Sequence, residues 1–407
     1  MPLSRTAIIG LLIYGVFLGA GIAGVGYRGS GDPQLIKVVS SLPRTGSSRT
    51  QTNTMINGIK MAFEEVDYRV GDFRIQYLDW DDATAAAGQW TAEAESANAD
   101  AAAKDPDVMV YIGTYNSGAA KVSMPVLNTA GLLMISPANT WPGLTKPGVG
   151  DFGEPEIYRP TGKINFTRVV PADDLQGSRA AEWAQELGVK RVYILDDTEV
   201  YGRGIATIFH ARAKEIGIEV LGHESIDVKA QEFRSLMASI KALNPDLIYF
   251  GGTTQSKGGQ IAKDMVDAGL KDCKFMGPDG CYEAAFINSA GADNVNGRAY
   301  VTFGGLPPQQ IEGFTKAYMK RFKSDKPPEG YAVYGYECAR VAIAAIRSAK
   351  VKDRAAIVEA ALNLKDFEGA LGKWSFDENG DISLDMISGF VVENGDFKFV
   401  KRLAKKG

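Results

Sequence analysis

Histidine and cysteine are scarce in this chain. Its 407 residues include two histidines, His210 and His223, and three cysteines, Cys273, Cys281 and Cys338. Neither histidine lies near a recognisable partner motif, and the cysteines lack the spacing of zinc ligands. A nucleophile elbow or triad pattern is also missing. These gaps argue against most hydrolases, metalloenzymes and cysteine nucleophiles, so no catalytic residue, metal or cofactor is expected. An odd thiol count favours free, buried cysteines, although Cys273 and Cys281 could pair across a strand end in an oxidising compartment. Positive charge is not in excess either. The net charge of −4 favours neither nucleic acid nor an anionic membrane. The basic end, Lys401 to Lys406, reads as a frayed, solvated tail.

Long uncharged runs are confined to the N-terminus. Ala7 to Tyr27 is uncharged and mostly apolar, flanked by Arg5 and Arg28. It reads as an export signal or a single membrane anchor, with a cleaved signal favoured by the dense Ala7–Leu18 core and the small-x-small Gly21-Ile22-Ala23. No cysteine precedes Cys273, which excludes a lipid-modified N-terminal cysteine. The body is therefore expected outside the cytoplasmic membrane, in the periplasm or beyond it. The formal GxGxxG match at Gly19–Gly24 sits inside this segment, without the strand, helix and acid that a dinucleotide site needs, and is discarded.

The remainder, in a chain that is 45% hydrophobic and 23% charged, has ordinary globular composition, and its length suggests two or three units. The central stretch is Asp107 to Thr145. It reads as a buried strand (Val108–Ile112), the turn Gly113-Thr114-Tyr115-Asn116-Ser117-Gly118, a helix, and a second apolar strand (Leu132–Ile135) ending in Ser136-Pro137-Ala138-Asn139-Thr140. Such runs suit parallel strands covered on both faces, whose carboxyl-end loops form the ligand crevice of open α/β sheets. Ser117 would stand at a helix start, where free N–H groups attract an anion. Read singly, Ser117 is equally a helix cap and Thr140 a loop hydroxyl.

Similar units precede and follow. Ile36–Val39 opens the body, and the helix after it carries the stripe Met55, Ile56, Ile59, Phe63 and Val66. Trp141 to Pro171, rich in Gly and Pro, reads as a long surface loop, followed by the strand Phe166–Val170 entering a new unit. A second βα series then runs through Val192–Leu195, Leu247–Phe250 and Phe275–Met276, with Gly277-Pro278-Asp279-Gly280 after the last. The chain closes with a hairpin turn at Glu393-Asn394-Gly395-Asp396. The expected fold class is α/β: two similar lobes, each a mainly parallel sheet flanked by helices, facing each other across a cleft.

The motifs GTYNSGAA at Gly113, LMISPANTWPGLT from Leu133, DDTEVYGRG from Asp196, LIYFGG from Leu247 and KFMGPDG from Lys274 occur in one order along residues 36–400. In them the chain resembles the leucine/isoleucine/valine-binding family, the type I periplasmic receptors of ABC importers. The resemblance implies lobe I at 36–167 and 300–371 and lobe II at 168–299 and 372–401, with residues 1–35 as signal or anchor plus linker and 402–407 as a basic tail. It implies a multi-strand hinge, and Ser117 with the backbone around Thr140 holding a ligand carboxylate. The Ala138 carbonyl, the Thr140 hydroxyl and Asp279 would hold an ammonium, and Tyr201 would wall the pocket from the second lobe. Tyr115 and Asn139 fall in the same motifs. Without the family, Asp279 reads as a turn aspartate and Tyr201 as an interface tyrosine.

Two departures stand out. Gln51 and Thr254 occupy places where the family often has aromatic pocket residues, and Thr84 and Asn116 stand where it has an early disulfide. A more polar pocket opens the choice to polar amino acids, amides or other small carboxylates, with Arg44 or Arg49 available for a second anion. The implied function is a non-catalytic, monomeric receptor that passes an amino-acid-like solute to a membrane permease of an ABC importer. The alternative is a sensor of amides or related small solutes.

Overall fold

The structure, a computed structural model, describes residues 32–404, so the expected export segment lies outside the described residues. Among those residues no helix is long and apolar enough to cross a membrane.

The apolar runs form strands. The first sheet contains β1 (Leu35–Leu42), the short β2 (Arg69–Val70) and β3 (Phe73–Asp81). A small hairpin, β4 (Ala83–Thr84) with β5 (Gln89–Trp90), leads on to β6 (Val108–Gly113), β7 (Leu133–Ser136) and β8 (Phe166–Arg168). The order is β2-β3-β1-β6-β7-β8, and every pair is parallel except β2 with β3. All residues of β6 and β7 are buried, as befits strands covered on both faces. Their connections are α1 (Arg49–Glu64), α2 (Ala92–Lys104) and α3 (Ser117–Thr129).

The second lobe begins with α4 (Asp173–Glu186), β9 (Arg191–Asp196), α5 (Val200–Glu215) and β10 (Glu219–Ser225). It continues through α6 (Arg234–Ala242), β11 (Leu247–Gly251), α7 (Gly258–Asp267) and β12 (Lys274–Gly277). Two short helices, α8 (Ala284–Ala290) and α9 (Ala292–Val295), precede β13 (Ala299–Phe303). The chain then returns to the first lobe as α10 (Glu312–Phe322), α11 (Ala332–Ala349), α12 (Arg354–Leu362) and the hairpin β14 (Phe367–Gly369) with β15 (Gly372–Trp374). It finishes in the second sheet as β16 (Ile387–Glu393) and β17 (Asp396–Leu403), giving the order β10-β9-β11-β12-β13-β16-β17. Only the last two pairings, β13 with β16 and β16 with β17, are antiparallel. Asn394 and Gly395, both at positive φ, make the expected tight turn between them.

Met55, Ile56, Ile59 and Phe63 of the α1 stripe are buried, while Val66 lies past the helix end and is half-buried, and α1 packs on α11 at very short range. A Cβ on Gly58 would lie 2.3 Å from the Ala332 carbonyl oxygen, and one on Gly335 would lie 2.4 Å from that of Met55. Two glycines therefore let these backbones touch.

Several sequence expectations need correction. The strand Phe166–Arg168 pairs with β7 and completes the first sheet instead of entering a new unit. β13 pairs with β12 in the second sheet, whereas residues from 300 onward were expected in the first lobe. Trp374, Phe376 and Ile382 pack into the first lobe's core, whereas residues from 372 were assigned to the second. The basic end is not frayed through Leu403: Lys401 to Leu403 pair with β16, and Lys401 Nζ lies 2.7 Å from Glu186. The Trp141–Pro171 segment is only partly a surface loop, because Trp141 to Thr145 are buried. Glu154 holds it from below, accepting hydrogen bonds from Trp141 Nε1 at 2.8 Å and Tyr158 at 2.5 Å. All three cysteines are free and buried, as their odd count suggested.

The chain passes between lobes three times: after β8, after β13 and before β16. The first and third passages are joined by an ion pair. Arg168, fully buried, places Nε 2.7 Å and one terminal nitrogen 3.0 Å from the two Asp381 oxygens.

Candidate functional site

From the first lobe, β6 and β7 each end in a loop, and Asn139 ties the two together. Its Oδ1 accepts from the Thr114 N–H at 3.1 Å, and its Nδ2 donates to Thr114 Oγ1 at 3.2 Å and the Tyr115 carbonyl at 3.3 Å. Ser136 Oγ accepts from the N–H groups of Ala138 and Asn139, which sets the second turn. Ser117 is the first residue of α3, and the preceding Asn116 provides no side-chain cap. The first N–H groups of the helix are thus left without a side-chain cap, which suits an anion. Ser117 Oγ accepts a long bond, 3.4 Å, from the Trp141 N–H, so its own proton is available to a ligand.

From the second lobe, Asp279 follows β12 and is buried. Its Oδ1 accepts from Gln176 Nε2 at 2.7 Å and the Tyr201 hydroxyl at 2.8 Å. Its Oδ2 accepts from the Tyr331 hydroxyl, which belongs to the first lobe at the start of α11. The Gly280 N–H donates to Tyr201 Oη at 3.1 Å, fixing the direction of that tyrosine's proton towards Asp279. Loss of water pushes the Asp279 carboxyl above the usual range, against the lowering effect of Tyr331, Tyr201 and Gln176. Desolvation wins. Three neutral donors do not replace a counter-charge, and a bound cation would supply one.

Beside it, burial and then the charge of Asp279 hold the Asp173 carboxyl well above its ordinary value. Neither Asp173 oxygen has a hydrogen-bond partner of regular geometry among the described residues, and the same holds for the Thr140 hydroxyl facing it. The backbone does join them: the Asp173 N–H donates to the Thr140 carbonyl at 2.9 Å, across the first passage.

Tyr115, Asn116, Ser117, Ala138, Tyr201, Thr253, Asp279, Gly280 and Tyr331 line a cleft with about 280 Å³ of empty space. Five of the nine residues expected at the site, Tyr115, Ser117, Ala138, Tyr201 and Asp279, are therefore brought together. The other four stand behind the wall. Asn139 is the loop tie just described, and Thr140 faces Asp173. Gln51 donates to Tyr115 Oη at 2.9 Å. Thr254 pins its loop to Gly280 through its N–H, 2.9 Å, leaving Thr253 on the wall. Arg44 is engaged elsewhere, 3.0 Å from Asp79 and bonded to Thr52 and Asn53.

Tyr331, Gln176 and Asp173 were missed by the sequence reading. Tyr331 had a signal of sorts, a tyrosine opening a long apolar helix; Gln176 and Asp173 had none beyond polarity in the first turns of α4. The lobes also touch at the cleft mouth, where Ser48 Oγ lies 3.1 Å from Gln255 Oε1 and Gln255 Nε2 lies 3.3 Å from the Gly88 carbonyl.

A family model described as periplasmic binding protein matches residues 35–395. An amino acid binding protein of Pseudomonas aeruginosa is 27% identical over 292 residues, 71% of this chain and 72% of that one. Among solved structures, a leucine binding protein, LivK, of Thermotoga maritima is similar with a TM-score of 0.79 and 24% identity, covering 90% of this chain and 98% of that one. The branched-chain amino acid transporter substrate binding protein LivJ of Streptococcus pneumoniae, in complex with isoleucine, gives a TM-score of 0.76 at 21% identity, covering 90% and 99%. At these identities the two structures speak for the fold, and the two-lobed α/β architecture is the one read from the sequence.

Proposed function

The chain belongs to the periplasmic binding protein family, and on that premise we propose that it captures an amino-acid-like zwitterion between its lobes for delivery to the membrane permease of an ABC importer. The observation that carries this reading is the polarity of the cleft. An uncapped helix start with a free serine proton faces it from one lobe, and a carboxyl without counter-charge faces it from the other. An α-carboxylate fits the first and an α-ammonium the second, and Ala138, on the same wall, would offer its carbonyl to that ammonium.

Tyr115, Tyr201 and Tyr331 wall the space between; the hydroxyls of Tyr201 and Tyr331 donate to Asp279, and that of Tyr115 accepts from Gln51. Their rings present apolar faces to a ligand stem. The relatives named for amino acids agree in ligand class. The site has no activated nucleophile, in keeping with relatives that are binding proteins, and its work is capture and closure.

The test is a thermal-shift and calorimetric screen of the purified protein against amino acids, their amides, urea and small dicarboxylates. Stabilisation by free amino acids, lost when either the carboxylate or the amine is blocked, is expected. Equal stabilisation by blocked and free forms would refute the zwitterion.

A further inference from the structure

A second chamber, partly open to solvent, adjoins the first and shares Asn116, Ser117, Tyr201 and Thr253 with it. Its remaining wall includes Gln89 from the first lobe and Asp197, Glu199 and Gln255 from the second. Neither chamber is lined by Lys, Arg or His among the described residues.

The two acids differ in what they already hold. Asp197 is committed: Oδ2 accepts from Ser256 Oγ at 2.5 Å and Oδ1 from the Glu199 N–H at 3.1 Å. Glu199 is not. It lies just before α5, and its Oε2 reaches across the gap to within 3.4 Å of where a Cβ on Gly118, in the first turn of α3, would sit. Loss of water holds its carboxyl above the ordinary range, and its charge adds to burial in raising the Asp197 carboxyl beside it.

A zwitterion's two charges are met in the first chamber. An aliphatic side chain pushed into the second would bury Glu199 further with no compensation, and burial of an unpaired carboxylate is costly. A side chain ending in a cation would neutralise it, in a recess that Gln89 and Gln255 also line. We propose that Glu199 is the specificity-determining residue of the cleft and that the second chamber receives the cationic end of the ligand's side chain. The preferred ligand class is then a diamino monocarboxylic acid of lysine or ornithine type. This rests on the zwitterion reading and deepens it.

L-lysine and L-norleucine share a four-carbon side chain and differ in the terminal ammonium, so titration calorimetry of the full chain with each isolates the group in question. Lysine is expected to bind at least about tenfold tighter than norleucine, and Glu199→Gln to bring that ratio to within about threefold of unity. Glu199→Asp, which keeps the charge but shortens its reach, should fall between and provides the comparison if the glutamine variant does not fold. Norleucine binding as tightly as lysine, or a ratio preserved in the variants, overturns this inference while leaving the zwitterion reading standing. Binding of neither amino acid overturns this inference, and the zwitterion reading is then decided by the screen of free against blocked amino acids.

Discussion

Asp279 is the residue on which capture turns, because it alone brings a formal charge to the first chamber. Removing one partner of a desolvated charge pair typically costs about 2–5 kcal/mol. Asp279→Ala is therefore expected to weaken an amine-bearing ligand by at least about thirtyfold, read by calorimetry, with the fold intact by circular dichroism. Stability should move the other way. A carboxyl whose folded pKa is raised contributes stability that is fully present below the unfolded carboxylate range and is lost as the pH rises through the folded value. Asp279→Asn is thus expected to melt above the wild type at neutral pH while binding worse, and a lower melting temperature would contradict the assignment.

The same shift makes binding proton-linked. A ligand ammonium lowers the pKa of the Asp279–Asp173 pair, so capture releases protons and affinity falls as the pH is lowered into the pair's titration range. Calorimetry in two buffers of different ionisation enthalpy measures this directly, and identical apparent enthalpies would contradict it. At this scale the sequence was half legible. Ser117, Ala138 and Tyr201 lie beside strand ends that periodicity finds, whereas Asp279 in a Pro-Asp-Gly turn needed the family pattern. Tyr331 reaches the cleft from a helix more than fifty residues further along the chain, and no local rule predicts that.

Among the elements, the passages between lobes carry the most concentrated chemistry. Arg168 and Asp381 join two of them with a buried bidentate pair, and Arg168 also donates to the carbonyls of Asn139 at 3.1 Å and Trp141 at 2.8 Å. Breaking such a pair from one side usually costs about 3–5 kcal/mol, because the other charge stays buried. Arg168→Met should destabilise by that order in chemical denaturation. The Asp381 carboxyl is lowered, its desolvation outweighed by the charge and hydrogen bonds of Arg168. Its contribution is therefore present above the unfolded carboxylate pKa and lost as the pH falls through the lower folded value. The stability gap between wild type and Asp381→Asn should narrow over that acid range, and a constant gap would exclude the ion pair as its source.

The contact of α1 with α11 gives a second test at this scale. Gly335→Val would drive a side chain into the Met55 carbonyl, and overpacking of this kind costs about 1–3 kcal/mol. Unchanged denaturation midpoints would contradict the close approach. The elements themselves followed from apolar runs and stripes, but their sheet membership did not. β8 (Phe-Thr-Arg) and β13 (Ala-Tyr-Val-Thr-Phe) are short strands, and nothing in their side chains distinguishes the lobe they pair with. Backbone pairing decided it.

In the whole molecule, three passages join the lobes, a cleft is lined from both sides, and the lobes meet at its mouth. The direct inter-lobe bonds include Tyr331 to Asp279, Ser48 to Gln255, Gln255 to Gly88, the Ala284 N–H to Glu329, and the half-buried Lys146–Asp174 ion pair at 2.8 Å. Such bonds are individually worth about 1 kcal/mol, a modest bias that a bridging ligand adds to by touching both lobes. Two-lobed architecture was legible from the repetition of βα units, and the discontinuity of the lobes came from the family pattern. Small-angle X-ray scattering, with and without a saturating amino acid that stabilises the protein thermally, tests the bridging most directly. The radius of gyration should fall on binding in the wild type, and by less in Asp279→Ala at equal occupancy; a radius unchanged in the wild type would contradict capture between the lobes.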